Sequence, residues 1–405
     1  MELNRNNDNL RDRLRLRFSD VLLLLIFCIN FIPQLKEIVT STVVLIAEIV
    51  WIIFIVLEEK RIKTWSIALL IWFVVCSLIT LLMGNLMVFK VLVFEFFNLL
   101  FPFVAVQVVV ERNYDDIDFY IKACIVLAVF SVGYTYFQTH AMSLASLYYR
   151  TSDSYTAAYV SVVLLLIFLY ILFNSKSSKF VRILYIIVIG FLVFSIIFYS
   201  FFIGLIVFAI SASLFIIFMK ANSFSKKLLY SILLVLGVLI LAFNLDSILQ
   251  GLYNATENHY YKEKIFDIML GLRGSSFGYT TSERMNVYSI SLQTIKESPF
   301  IGCFWRLNDE NIRSLISYHS SIFDMIAMYG VLFGIIPMYF LISPFKIIKK
   351  FSTSDHALVV SMMIAVILIL LLDNMVSGIG IVAYFMTWCI IMKRHYDEEL
   401  RKNYE

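Results

Sequence analysis

One histidine and three arginines are the residues whose types could do chemistry. His319 is followed by Ser320-Ser321-Ile322-Phe323-Asp324. Ser321 and Asp324 have capping-box spacing, which predicts a helix beginning near Ser321. His319 then lies just outside a helix end, where free first-turn N–H groups favour an anion. An imidazole placed there can take a proton from a hydroxyl group; an interfacial histidine bonded to backbone would carry the same sequence. Arg150, Arg284 and Arg313 lie in the segments predicted to share its side of a membrane. Arginine stays charged at any working pH and grips phosphate oxygens two at a time. The chemistry implied is neutralisation of a phosphate group beside an activated hydroxyl. Between Ser247 and Ser320 seven basic residues are balanced by seven acidic ones, so this is no general polyanion surface. Lys262, Lys264 and Lys296 read as solvated loop charges.

The elements that position these residues are membrane helices. Of 405 residues 61% are hydrophobic and only 15% charged, against roughly 25% charged in ordinary globular chains. No soluble core hides that much apolar surface, so the surplus faces lipid. The apolar runs are continuous and do not alternate, which excludes a β-barrel. The fold expected is all-α: a polytopic helical membrane protein of about twelve spans forming one integral domain over 1–405. The spans predicted are 18–35, 41–58, 64–83, 87–110, 119–138, 155–173, 181–199, 201–219, 228–246, 321–343, 357–373 and 375–392. The five arginines before residue 18 precede an apolar run with no cleavage site, so the first span reads as uncleaved.

Lysine and arginine collect in every second connection, including 60–63, 176–182, 220–227 and 346–350. That places both termini in the cytoplasm. The short segments on the other side hold only Lys36 and Arg150. The long segment 247–320 is then extracytoplasmic. Within it, Met285, Val287, Ile290, Leu292 and Ile295 have roughly helical spacing, which predicts a helix lying at the membrane surface, stopped by Ser298-Pro299.

Inside the spans Glu48, Lys90 and Glu95 are ionisable, and such residues are costly and often functional. Pairing of the glutamates with Lys90 or Arg150 is expected, as a structural ion pair or as part of a site. The long segment is rich in Tyr, Phe and Trp, which suit sugars and membrane interfaces equally. Four of the five cysteines lie in apolar runs and only Cys303 is in the long segment, so a disulfide framework is not expected. No Cys/His grouping has metal-ligand spacing, and no basic, aromatic-interleaved patch suits nucleic acid.

The stretch from Arg284 onward resembles the O-antigen ligase and polymerase family, in particular the Wzy-type repeat-unit polymerases of bacterial surface polysaccharides. An arginine opens a helix at Arg284, followed by the turn Ser298-Pro299-Phe300-Ile301-Gly302. His319 comes next, and Gly330-Val331-Leu332-Phe333-Gly334 lies in the following helix. Arg150-Thr151-Ser152 resembles the family's outer arginine before a span. The chain departs from the family in having Ser320 after the histidine and Phe201 after Ser200. The resemblance implies joining of undecaprenyl-diphosphate-linked oligosaccharides at the outer face of the cytoplasmic membrane. His319 would be the activating base, and Arg150, Arg284 and Arg313 the diphosphate ligands. No metal or other cofactor is implied; a flippase and a chain-length regulator are the implied partners. The alternatives are a ligase passing glycan to another acceptor and a flippase for lipid-linked oligosaccharide.

Overall fold

The computed structural model describes residues 17–32, 35, 39–59, 66–111, 114–141, 152–174, 178–198, 202–220, 223–257, 262–263, 265–266, 269–270, 279–308, 311–342, 353–373 and 382–404. Among them there are helices and no strands. In chain order these are α1 (Phe18–Phe31), α2 (Ser41–Glu59), α3 (Ser66–Leu82), α4 (Leu86–Glu111), α5 (Tyr114–Ala141), α6 (Ser152–Asn174), α7 (Lys179–Phe198), α8 (Phe202–Lys220), α9 (Phe224–Phe243) and α10 (Leu245–Ala255). Then come α11 (Tyr279–Glu297), the single turn α12 (Ile312–Leu315), α13 (Ser321–Ile342), α14 (Thr353–Leu372) and α15 (Thr387–Tyr404). Six described helices are long and apolar enough to cross a membrane, by length and composition: those over 86–108, 115–137, 157–174, 179–196, 321–341 and 354–372. Large apolar side chains such as Phe180, Leu82 and Phe243 are mostly exposed. That pattern is unstable in water and natural in lipid.

Several helix starts are fixed by a short polar side chain accepting from the third residue of the helix. Asn85 caps α4 through the Val88 N–H at 3.1 Å. Ser178 caps α7 and Ser223 caps α9 in the same way. Helix α6 is the centre of the bundle. Its residues Ala157 to Phe168 are all buried, and α5, α7, α8 and α14 pack around it.

The last helix differs from expectation. The sequence predicts a span at 375–392; residues 374–381 lie outside the described residues, and α15 continues far beyond 392 to Tyr404. Its polar end is held by ion pairs. Lys393 bonds Asp118, and Arg394 lies 3.1 Å from the buried Asp355, which also accepts from Tyr170. These pairs join α15 to α5, α6 and α14, at the end of α14 remote from His319.

A second core forms around α3 and α4. Leu69, Trp72, Leu92 and Phe96 pack with Cys303, Phe304, Leu307, Ile312 and Ile316. The predicted outer loop is therefore not a free connection between 303 and 316: it carries core residues of its own.

Candidate functional site

Helix α11 runs alongside the first half of α13, and in the same direction. The Ser291 hydroxyl donates to Asp324 Oδ1 at 2.6 Å. Eight residues on from Ser291 and seven on from Asp324, the Val331 N–H donates to the Pro299 carbonyl at 2.9 Å. Tyr288 reaches the Leu372 carbonyl at 2.5 Å, and Thr294 the Leu315 carbonyl at 2.7 Å. The expected apolar face is only partly described: the side chains of Met285 and Val287 lie outside the described residues, and Ile290 and Ile295 are partly buried. Among the described side chains of α11, the fully buried ones are Ser291 and Thr294, whereas Leu292 is exposed. Each buried hydroxyl has a hydrogen-bond acceptor, which removes the penalty that would otherwise drive it to water.

The turn after α11 locks into α13. Gly330 has φ 67° and ψ 178°, so α13 is two helical halves joined across one non-helical residue. Gly302 has φ 75°. The Cys303 N–H donates to the Ala327 and Met328 carbonyls at 3.0 and 2.9 Å, while the N–H groups of Val331 and Leu332 donate to Pro299 and Phe300. A Cβ at Gly302 would stand 2.2 Å from the Met328 carbonyl oxygen, and one at Gly330 would stand 2.3 Å from that of Phe300. The Pro-Phe-Ile-Gly turn and Gly330, which read as separate features in the sequence, are one interlocked contact. Gly330 marks a break within the helix, not its end.

From Gly302 the chain returns through the buried Phe304 and α12 to Ser317-Tyr318-His319-Ser320. Four bonds on one carboxylate shape this return. Asp324 Oδ1 accepts from the Ser291 and Ser317 hydroxyls and from the Ser317 N–H, and Oδ2 accepts from the Ser320 N–H at 3.3 Å. The helix starts at Ser321 as expected, but the cap is Ser320, whose Oγ accepts from the Phe323 N–H at 3.2 Å. The capping arrangement is shifted by one residue. The Ser321 N–H donates to the Asp373 carbonyl at 3.3 Å. The N–H groups of Ser321, Phe323 and Asp324 thus already have acceptors, and the Asp324 carboxylate accepts from the Ser320 N–H just before them. The helix end expected to favour an anion carries the protein's own carboxylate, Asp324.

Tyr318 has φ 59°, the left-handed region that a bulky residue enters at a cost of roughly 1–2 kcal/mol. The residue is half-exposed. Partial burial, with the Glu95 and Asp324 charges nearby, raises its pKa above the ordinary phenol range, so it stays a neutral donor near pH 7. The charge of Arg313, exposed on α12, also reaches it. The next residue, His319, is exposed, and its backbone N–H is held by Ser317 Oγ at 3.3 Å.

The structure therefore sets Tyr318 and His319 on a turn held by Asp324, with the charge of Arg313 reaching Tyr318. Arg150 lies outside the described residues. Arg284 lies near the start of α11, one turn before Tyr288, and its side chain is likewise outside them. Sequence reasoning missed Tyr318 and Asp324 as site residues; the run of serines at 291, 317 and 320 was the available signal. The ion pairs expected of Lys90 are replaced by a different contact. Glu95 accepts from the Tyr329 hydroxyl, Lys90 is exposed, and Glu48 is buried. Among the described residues no three His, Cys, Asp or Glu side chains are grouped to hold a metal.

Asp324→Asn tests the hub. The amide cannot accept all four bonds, and the expected loss is about 3 kcal/mol, the scale of breaking a buried charge's hydrogen-bond network. A melting curve of the purified protein in detergent reads it; an unchanged midpoint contradicts the hub. No family model matches the chain, and no curated protein matches it either.

Proposed function

We propose that the chain is a polymerase of lipid-linked oligosaccharides, acting at the outer face of the cytoplasmic membrane as a twelve-span protein with both termini inside. The observation that carries this reading is the exposed His319 on a turn fixed by Asp324, next in sequence to a neutral Tyr318 that the charge of Arg313 reaches. A hydroxyl of one repeat unit must lose a proton as it attacks the anomeric carbon of another, and His319 takes that proton. The bond from that carbon to the diphosphate breaks, and the leaving anion needs fixed positive charge. Arg313 supplies it from α12, with Arg150 and Arg284 as further ligands. Tyr318 offers a hydrogen bond to a sugar or phosphoryl oxygen. The sequence resemblance supplies the substrate class, undecaprenyl-diphosphate-linked repeat units.

The broken helix at Gly330 is similar in outline to the discontinuous helices of transporters, which present free backbone groups to a cargo. Here the N–H groups at the break are bonded to Pro299 and Phe300. The break serves packing, which favours the enzyme over the flippase.

The test is Arg284→Lys in cells that make the polymer, with lipid-linked repeats measured on each membrane leaflet. Loss of long chains with single repeats collecting on the outer leaflet is the expected outcome. Accumulation on the inner leaflet would assign the chain to translocation. Normal chain length with loss of transfer to a separate acceptor would make it a ligase.

A further inference from the structure

Helix α10 has an apolar side wider than the described residues cover. Leu245, Ile248, Leu249, Leu252 and Tyr253 recur at the three- and four-residue steps of one helix side, while Asp246, Ser247, Gln250 and Asn254 fall on the other. Half of the apolar side is packed. Leu249 is buried with Ile265 and Met269, and Leu245 and Tyr253 rest against them. The Tyr253 ring also meets the Phe266 ring at 5.9 Å and carries Lys262 Nζ 4.9 Å from its centre. The other half is bare: Ile248 and Leu252 are 40% and 46% exposed.

The bare half continues the exposed apolar surface of α9. Leu236 and Ile240 are exposed there, and Ile248 and Leu252 follow at the same four-residue step, with Asn244 between them. Asn244 alone separates the two helices. Its backbone N–H and its side-chain amide both donate to the Ile240 carbonyl, and its own carbonyl accepts from the Ile248 N–H at 3.0 Å. Its ψ of 6° departs from the regular helical line. In the twelve-span topology α9, with 20 residues, has the length of about 30 Å that crosses hydrocarbon. Lys226 and Lys227 stand in its first turn, so Asn244 falls at the opposite boundary. Helix α10 then begins where hydrocarbon gives way to headgroups.

Charge decides how such a helix is held. Between 245 and 270 the acidic Asp246, Glu257, Glu263 and Asp267 outnumber the basic Lys262 and Lys264. That balance does not attract anionic headgroups, and apolar contact is the attraction that remains.

We propose that α10 lies at the outer surface of the bilayer with Ile248 and Leu252 seated among the acyl chains, and so tethers the start of the long segment 247–320 to the membrane. The proposal rests on the twelve-span topology and holds whichever transfer the chain catalyses.

Spin labels on the full-length protein in phosphatidylcholine nanodiscs, one copy per disc, test it. The labelled variants are Ile248→Cys and Leu252→Cys on the bare side, Ser247→Cys and Asn254→Cys on the polar side, and Leu236→Cys in α9. The background is Cys28→Ser, since the other native cysteines are buried. Collision with oxygen, which concentrates in lipid, is compared with collision with a water-soluble nickel chelate. The oxygen-to-nickel ratio is expected to be severalfold higher at 248 and 252 than at 247 and 254, and unchanged when phosphatidylglycerol is added to the discs. Each side has two variants, so one that fails to fold leaves the comparison intact. Equal ratios at the four positions overturn the proposal, as does a ratio at 248 and 252 that rises with phosphatidylglycerol. Labels at 248 and 252 shielded from both probes overturn it too: shielding in single-copy discs means cover by this chain, and shielding only in two-copy discs means a second copy. If Leu236→Cys favours oxygen while the four α10 positions are alike, the topology stands and the tether falls. If Leu236→Cys meets the nickel chelate freely, both fall.

Discussion

Gly302→Ala is expected to destabilise the protein by about 3–5 kcal/mol, from a left-handed backbone cost of roughly 1–2 and overpacking of roughly 1–3. The clash is with backbone: the new Cβ would meet the Met328 carbonyl oxygen at 2.2 Å and the Gly330 nitrogen at 2.4 Å. No side-chain rotation relieves either contact. The turn must lift away from α13, and the bonds from Cys303, Val331 and Leu332 go with it. Denaturant unfolding in mixed micelles measures the loss. Cys303 gives a local readout: burial pushes its thiol up to about 12, so at pH 7–8 it is protonated and inaccessible to maleimide. In Gly302→Ala the thiol loses that burial and its pKa falls back toward the ordinary thiol range, so labelling at Cys303, located by peptide mapping, should rise sharply at the same pH. Gly237→Ala is the control. Nothing lies within 4 Å of a Cβ there, and within α9 alanine gains about 1 kcal/mol over glycine. Equal stability of the two variants would show that the turn is not docked.

His319→Ala carries the largest functional effect. Removal of a general base typically lowers the rate by about 10²–10⁴. The imidazole is exposed, and the turn beneath it is held through backbone and Asp324, so the melting curve should hardly move. Single-turnover extension of a lipid-linked repeat by the purified protein separates this from a binding defect. Unchanged turnover would leave His319 as an interfacial side chain and remove it from the reaction. The contrast with Asp324→Asn is informative, because that variant should lose stability first and activity as a consequence.

The helices were legible because continuous apolar runs admit little else. The start of α13 at Ser321 was legible from its serines and Asp324. The direction of α11 was not. Its buried side is made of hydroxyls, and a serine that bonds a distant carboxylate is indistinguishable in sequence from a serine facing water. The apolar spacing from Met285 to Ile295 left the buried Ser291 and Thr294 unmarked for that reason. Gly302 and Gly330 were both visible as glycines, but their contact spans the whole return segment and depends on two positive φ angles. The closure of the helix end by Asp324 was hidden in the same way: the capping pattern was right in kind and one residue out in register. The arginines are the least complete part: the charge of Arg313 reaches Tyr318, and the side chains of Arg150 and Arg284 lie outside the described residues.

The docking of the 299–303 turn on residues 327–332 also orders events during synthesis. Ribosomes deliver the N-terminal partner first. When α11 and its turn emerge, the helix they bind has yet to be translated, and a segment this polar has no reason to enter the bilayer alone. It must wait outside the bilayer until α13 is inserted, then fold back against it. A nascent chain stalled before residue 321 should accordingly leave this limb open to added protease, and release of the stall should protect it.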